Sequence, residues 1–337
     1  MRVAVVGATG MVGQEMLRVL EERRFPVGEL VAVASPRSAG RTVRFGGAEH
    51  AVRALAPDVF EGVDLALFSA GSGVAREWAP VAAGQGALVV DNSSAWRQDD
   101  EVPLVVPEVN LAAAAHRPKG IVANPNCSTI QMVVALAPIH RAATLTRVVV
   151  ATYQAISGKG AQAVRAFEKQ RRTLVEEGTP APDERLEGQL AGNVLMHWNR
   201  DPKSGYQEEE LKMISETRKI LGEPALRVSP TAVRVPVVTG HAEAIAIETR
   251  RPIGPEEARA LLHAAPGVKV VDDFAAGHYP TPLDAAGTDP VYVGRIRTDL
   301  GNPGGLQLWV VADNLRKGAA LNAIQIAEAL LVSRASD

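Results

Sequence analysis

The chain has almost no cysteine: one, Cys127, in 337 residues. A single thiol excludes an intramolecular disulfide and any metal site built from several cysteines, and by itself it says little about compartment. Long apolar runs are missing too. None approaches the roughly 18 residues needed to cross a bilayer. The first residues, MRVAVVGATG, break into glycines after a short apolar run, whereas a secretory leader needs a longer one and a small-residue cleavage site. The expectation is a cytoplasmic protein with an unprocessed start. Charge of one sign is also in short supply, with a net charge of −2. That balance gives no global attraction to nucleic acid or to anionic membranes, although two or three Arg or Lys suffice for a local anion pocket.

What is present is a soluble-type composition, 46% hydrophobic and 22% charged, long enough for two domains. Short continuous Val/Leu runs at Val3–Val6, Leu30–Ala34, Leu65–Phe68 and Ala87–Val90 suit strands buried on both faces. Helical patterns lie between them. Val12, Met16, Val19 and Leu20 make one stripe, and Ser72 is placed to cap a second helix running to about Gly84. The alternation predicts a Rossmann-like, doubly wound α/β domain. After about residue 144 the runs lengthen: Arg234–Gly240, Ala242–Arg250, Val291–Asp299 and Leu306–Asp313 read as strands of a mainly antiparallel sheet in a second, α+β domain. Helices are expected near Gly160–Glu176, Glu208–Leu221 and Pro255–His263. A loop is expected at Glu176–Asp183. A final helix in NLRKGAALNAIQIAEALLVS carries Leu321, Ile324, Ala327, Leu330 and Leu331 on its apolar side. No internal repeat is visible.

The start, VAVVGATGMVGQEML, sets Gly7, Gly10 and Gly13 between the first strand and the first helix, a G-x-x-G-x-x-G variant of the dinucleotide fingerprint. Small residues admit the pyrophosphate to the backbone, and the helix N-terminus supplies free N–H groups. An NAD site usually has an acid after the second strand. Here that strand ends in Ser35, Arg37 and Ser38, whose cation and hydroxyls suit a 2′-phosphate, so NADP is favoured over the alternative that Arg37 is a solvated loop charge.

Cys127 follows an Asn-Pro-Asn turn at the start of an apolar helix. A helix N-terminus favours thiolate over thiol, as a nucleophile requires. A free cysteine is also commonly a small buried hydrophobe, and the local sequence leaves both readings open. A dinucleotide site plus such a thiol suggests thioester chemistry: attack on an activated acyl group, hydride reduction, and collapse to an aldehyde. That chemistry calls for an acid/base, an oxyanion or amide partner, and cations for phosphate and carboxylate.

At this point the chain resembles the aspartate-β-semialdehyde dehydrogenases over nearly its whole length. The likeness rests on ordered motifs: GATGMVG, DNSSAWR (Asp91–Arg97), NPNCST, TYQAISGKG (Thr152–Gly160), EEELKMISETRKIL (Glu208–Leu221), RVPVVTGH (Arg234–His241) and DNLRKGAALNAIQ (Asp313–Gln325). The resemblance implies Cys127 as nucleophile, His241 at a strand end as acid/base, and Gln154 holding the thiol–substrate geometry or the acyl oxygen. It implies Arg234 on the substrate carboxylate, Glu209 on its ammonium, Lys212 and Arg97 on phosphate, and Asn126 at the substrate. Thr9, Gly10, Met11 and Val12 would lie at the pyrophosphate, with Gly7 and Gly13 shaping that turn. Ser35, Arg37 and Ser38 would lie near the 2′-phosphate, and Ser157, Gly158 and Asn314 near the nicotinamide. No metal is implied. Each residue has a plainer alternative: a strand-end histidine, a helix-surface pair for Glu209 and Lys212, surface arginines, a buried amide. Glu208, Glu209 and Glu210 all remain candidates to face the substrate.

The implied reaction is reversible NADPH-dependent reductive dephosphorylation of β-aspartyl phosphate to aspartate semialdehyde, in the route to lysine, threonine and methionine. The implied division is 1–126 with 314–337 for NADP and 127–313 for catalysis and dimerisation. A homodimer is expected, with pairing into tetramers left open. The rival readings are a reductase of a longer acyl phosphate, such as N-acetylglutamyl phosphate, and a non-catalytic NADP-binding protein.

Overall fold

The computed structural model describes residues 1–196, 199–273 and 275–332. The chain divides into two compact units, Met1–Asn126 with Gly318–Asp337, and Cys127–Lys317.

The first unit is built on a parallel sheet. Its strands are β1 (Arg2–Val6), β2 (Glu29–Ala34), β5 (Arg53–Ala54), β6 (Leu65–Phe68), β7 (Leu88–Asp91) and β8 (Ile121–Ala123), in the order β5-β2-β1-β6-β7-β8. Every pairing among them is parallel. The four expected runs are therefore the centre of this sheet, buried on both faces because helices cover both. Between β2 and β5 the chain makes a hairpin that the apolar pattern did not announce, β3 (Thr42–Phe45) and β4 (Ala48–Ala51). Its turn is Gly46-Gly47, with φ of 60° and 78°, the doubly left-handed geometry of a two-residue hairpin.

Helix α1 (Met11–Glu22) buries Met16, Leu17, Val19 and Leu20, close to the stripe read from the sequence. Helix α2 spans Ser72–Gly84, but its N-cap is Gly71 at φ 88°, not Ser72. Ser72 is the first helical residue, and its hydroxyl shares a 2.9 Å hydrogen bond with that of Ser94, so it is not free to cap. A short helix α3 (Pro107–Asn110) follows.

The second unit holds α4 (Cys127–Ala143), α5 (Ala161–Glu177), α6 (Glu208–Leu221), α7 (Pro255–His263) and α8 (Pro282–Ala285). Its six-stranded sheet runs β10-β9-β11-β14-β13-β12, formed by β9 (Leu145–Gln154), β10 (Arg227–Arg234), β11 (His241–Thr249), β12 (Val268–Val270), β13 (Val291–Thr298) and β14 (Leu306–Ala312). Three pairings are antiparallel and two parallel, so the sheet is mixed and mostly antiparallel.

One expected strand is misplaced in the sequence reading. Arg234 closes β10 rather than opening a strand, and residues 235–240 are irregular. Pro236 has no N–H to give, the Val237 N–H turns back to the Val235 carbonyl at 2.8 Å, and Gly240 sits at φ 95°. The true strand hides Pro230, which β10 tolerates because it lies at the sheet edge. His241 accordingly begins a strand.

The chain returns to the first unit through α9 (Leu321–Ala327), whose Leu321, Ile324 and Ala327 join the core of β1, β2 and α1. Wide π turns flank it at Arg316–Ala320 and Glu328–Val332. Ser333, where the expected final helix ends, lies outside the described residues.

Candidate active site

In the second unit four elements bring their ends to one place. Cys127 is the first residue of α4, half-buried, with no acidic side chain in the first turn to quench the positive potential there. The helix behind it is buried nearly all round, so its N-terminus is held by packing.

Gln154 is the last residue of β9 and is 1% exposed. Its amide nitrogen donates to the Ser128 hydroxyl at 2.8 Å and to the Glu209 carboxylate at 3.0 Å. Both amide protons are thereby spent, which leaves the carbonyl oxygen buried and without a protein partner.

The next residue works through its backbone. The Ala155 N–H donates to His241 Nδ1 at 3.0 Å, and the Ala155 carbonyl accepts from Arg234 Nη1 at 2.6 Å. Since Nδ1 accepts, the neutral ring carries its proton on Nε2. His241 is fully buried, and burial, followed by the nearby Arg234 charge, pushes its pKa down to about 3. It is a neutral imidazole across the working pH range, with a donor at Nε2 that no protein acceptor takes.

Arg234, at the end of β10, is 6% exposed. Burial lowers its pKa from the usual arginine value, while the charges of Glu209, Cys127 and Glu187 work in the other direction. The sulfur and the guanidinium are thus near enough to feel each other. Gly158 lies over the pair: a β-carbon there would sit 3.6 Å from Arg234 Nη1 and 3.8 Å from His241 Nε2.

The three glutamates of α6 separate cleanly. Glu210 is buried and accepts from the N–H groups of Gln207 and Ala232, closing the helix cap and pinning α6 to β10. Glu208 pairs with Lys212 at 2.8 Å and accepts from Asn199. Glu209 is the one turned to Gln154, with Lys212 at 3.9 Å from its second oxygen.

Ser157 and Asn314 are joined by a 2.8 Å hydrogen bond, and the Asn314 carbonyl accepts the Gly240 N–H at 2.9 Å. Asn314 thus holds the turn that leads into His241. Gly240 is obligatory, since a β-carbon would lie 2.9 Å from Pro282.

The remaining expected residues belong to the first unit. Arg97 is buried in the turn after β7, where its Nη2 donates to the Asn92 carbonyl at 2.9 Å. Asn126 is buried next to Cys127 in sequence. Sequence reading missed Ser128 and Ala155. Ser128 stood in plain view inside NPNCST, but Ala155 acts through atoms that every residue has. Among the described residues no cluster could hold a metal ion, and no helix is long and apolar enough to cross a membrane.

Comparison with known proteins places the chain in a family. The family model described as semialdehyde dehydrogenase, dimerisation domain, covers residues 136–317, and that described as semialdehyde dehydrogenase, NAD binding domain, covers residues 2–117. The aspartate-semialdehyde dehydrogenase of Aquifex aeolicus is 53% identical over 98% of both chains. The chain belongs to the aspartate-semialdehyde dehydrogenase family. Among solved members of this family, aspartate-semialdehyde dehydrogenase II of Vibrio cholerae complexed with ASA superposes at a TM-score of 0.93, with 46% identity over 98% of both chains. The Candida albicans aspartate-semialdehyde dehydrogenase with NADP superposes at 0.75, with 26% identity over 98% of both chains.

The first unit fits the dinucleotide that such a dehydrogenase uses. A β-carbon on Gly7 would come within 2.4 Å of the Ser69 carbonyl oxygen, and one on Gly13 within 2.2 Å of the Gly7 oxygen. Only glycine lets strand, turn and helix approach this closely. The N-cap of α1, Gly10, offers no side-chain acceptor, and no acid stands in the first turn. The N–H groups at Met11, Val12 and Gly13 are therefore open to phosphate oxygens. Thr9 flanks the turn, and Ser35, exposed Arg37 and Ser38 follow β2 with no carboxylate among them. That set suits NADP.

Proposed function

We propose that the chain catalyses the reversible, NADPH-dependent reductive dephosphorylation of β-aspartyl phosphate to L-aspartate 4-semialdehyde. The carrying observation is the lone thiol at the N-terminus of α4, within the field of Arg234 and on the face shared by Gln154 and His241. Cys127 attacks the β-carbonyl as thiolate, forming a C–S bond, and phosphate leaves with the electrons of the C–O bond. His241 Nε2–H donates to the oxyanion of each tetrahedral species, a role that its tautomer and neutrality suit better than proton abstraction. Bound NADPH supplies the hydride for the thioester carbonyl. Return of the electrons to sulfur then releases the aldehyde.

Arg234 pairs with the α-carboxylate and Glu209 with the ammonium. The Gln154 carbonyl accepts from the thiol or the ammonium, and Asn126 lines the substrate. Lys212 and Arg97 take the phosphate. Gly7, Thr9, Gly10, Met11, Val12 and Gly13 hold the pyrophosphate, Ser35, Arg37 and Ser38 the 2′-phosphate, and Ser157, Gly158 and Asn314 the nicotinamide. NADPH formation from aspartate semialdehyde, with and without phosphate, tests the reading. Turnover of an N-acylated semialdehyde instead would leave Glu209 idle and favour the longer acyl phosphate.

The outer face of the mixed sheet supports a homodimer. Val149 and Tyr153 are each 38% exposed there, and Tyr153 packs on Trp309. A second copy covers that face, and Tyr153→Glu shifts the light-scattering mass to monomer; a mass twice the dimer's would signal tetramers. Fractionation tests the cytoplasmic location proposed for the enzyme.

A further inference from the structure

Each of the three central side chains has a polar companion one step deeper in the core, on its own element. Gln131 lies one helical turn beyond Cys127 on α4. Thr152 lies two residues before Gln154 on β9, and Glu243 two residues after His241 on β11. The helical and strand periods put each companion on the same face as its partner. Thr152 and Glu243 are directly opposite each other in the antiparallel ladder.

All three are sealed from solvent, at 1%, 0% and 0% exposure. Neither oxygen of Glu243, neither polar atom of the Gln131 amide, nor the Thr152 hydroxyl makes a protein hydrogen bond of ordinary length and angle, although Gln131 and Glu243 are neighbours. Burial pushes the Glu243 carboxyl well above the usual carboxylate range, and the Gln131 amide, close enough to act on it, pulls part of the way back. Full burial therefore favours the protonated acid, which has a proton to donate.

Packing alone does not account for these residues. Apolar side chains of the same size would fill the space without desolvating five polar atoms, and such replacements are often stabilising. Buried polar atoms in a cluster are satisfied by ordered water, which makes about three hydrogen bonds per molecule. We propose that Gln131, Thr152 and Glu243 form a buried water-binding layer that positions Cys127, Gln154 and His241, with Glu243 as an uncharged hydrogen-bond donor. Directional bonds through shared water hold α4 in one register against β9 and β11, where apolar contact alone would let it slide.

The proposal rests on the reaction assigned above, and the test separates the two. Kinetics of semialdehyde oxidation and the rate of Cys127 alkylation by iodoacetamide are measured for the wild type and three variants. The double variant Gln131→Leu/Glu243→Leu keeps or raises the melting temperature, loses about tenfold in kcat with both KM values within about twofold, and is alkylated more slowly. Thr152→Val loses about threefold in kcat, and Glu243→Gln, which keeps a neutral donor, recovers to within about threefold of wild type. Wild-type kcat and alkylation in the double leucine variant overturn the proposal, as does wild-type behaviour of Thr152→Val should the double variant not fold. A loss in Glu243→Gln equal to that in the double variant overturns the role of a neutral donor. If the wild type turns over no semialdehyde, the reaction assignment fails, while alkylation still reads the layer.

Discussion

The glycine turn of the first unit and the thiol cluster of the second are built in opposite ways. The turn is contiguous, seven residues from Gly7 to Gly13, and it works because side chains are missing and backbone N–H groups are left open. The cluster draws Cys127, Gln154, Glu209, Arg234 and His241 from five separate stretches, and it works through what their side chains carry. An anion needs only dipoles and room, whereas a reacting carbonyl needs particular atoms at particular places. One region should fail when atoms are added, the other when atoms are removed.

The largest expected effect is in the cluster. Cys127→Ser should lower kcat by about a thousandfold or more, with the NADP dissociation constant, followed by fluorescence titration, within about twofold. If NADP affinity were lost together with kcat, the two regions would not be separable in function. Arg234→Leu comes next, with the KM for semialdehyde raised about 100-fold and that for NADP nearly unchanged. An equal rise in both would remove Arg234 from the carboxylate.

Gly13→Ala probes the other region by adding a single carbon 2.2 Å from a carbonyl oxygen. Urea unfolding should show a loss of about 3 kcal/mol, with NADP affinity falling before kcat does. Unchanged stability would mean that the turn relaxes more easily than its packing implies.

The smallest effect is one of pH. His241 has a native pKa of about 3 against the ordinary 6.5, so between those values the unfolded chain binds a proton that the native one does not. Stability contributed by the neutral ring is complete above 6.5 and drains away as pH falls toward 3. The melting temperature of His241→Asn should fall less steeply over that window. Parallel curves would place the imidazole in contact with water.

The same contrast governs how much could be read from the sequence. The turn and the parallel strands were legible because their signals are local: glycines at fixed spacing, short Val/Leu runs, an apolar stripe along α1. The cluster's members could be nominated from motifs, but their arrangement depends on contacts across the fold. Nothing local assigns Glu209 rather than its two neighbours to Gln154. That choice is made when Glu210 turns toward the Ala232 N–H on β10. The segment after Arg234 looked like a strand because Val235, Val237 and Val238 favour one, and Pro236 and Gly240 override them. The Gly46-Gly47 hairpin carried a turn signal without an apolar pattern on either side.

Position 155 has a consequence for anyone mapping this enzyme by mutation. An alanine scan begins with alanine already there, and most replacements keep the amide that grips His241 and the carbonyl that steadies Arg234. Small replacements that fit its fully buried place would leave both contacts intact and make the position look unimportant. Only proline, which deletes the N–H, would expose the dependence of two reactive groups on a single peptide unit.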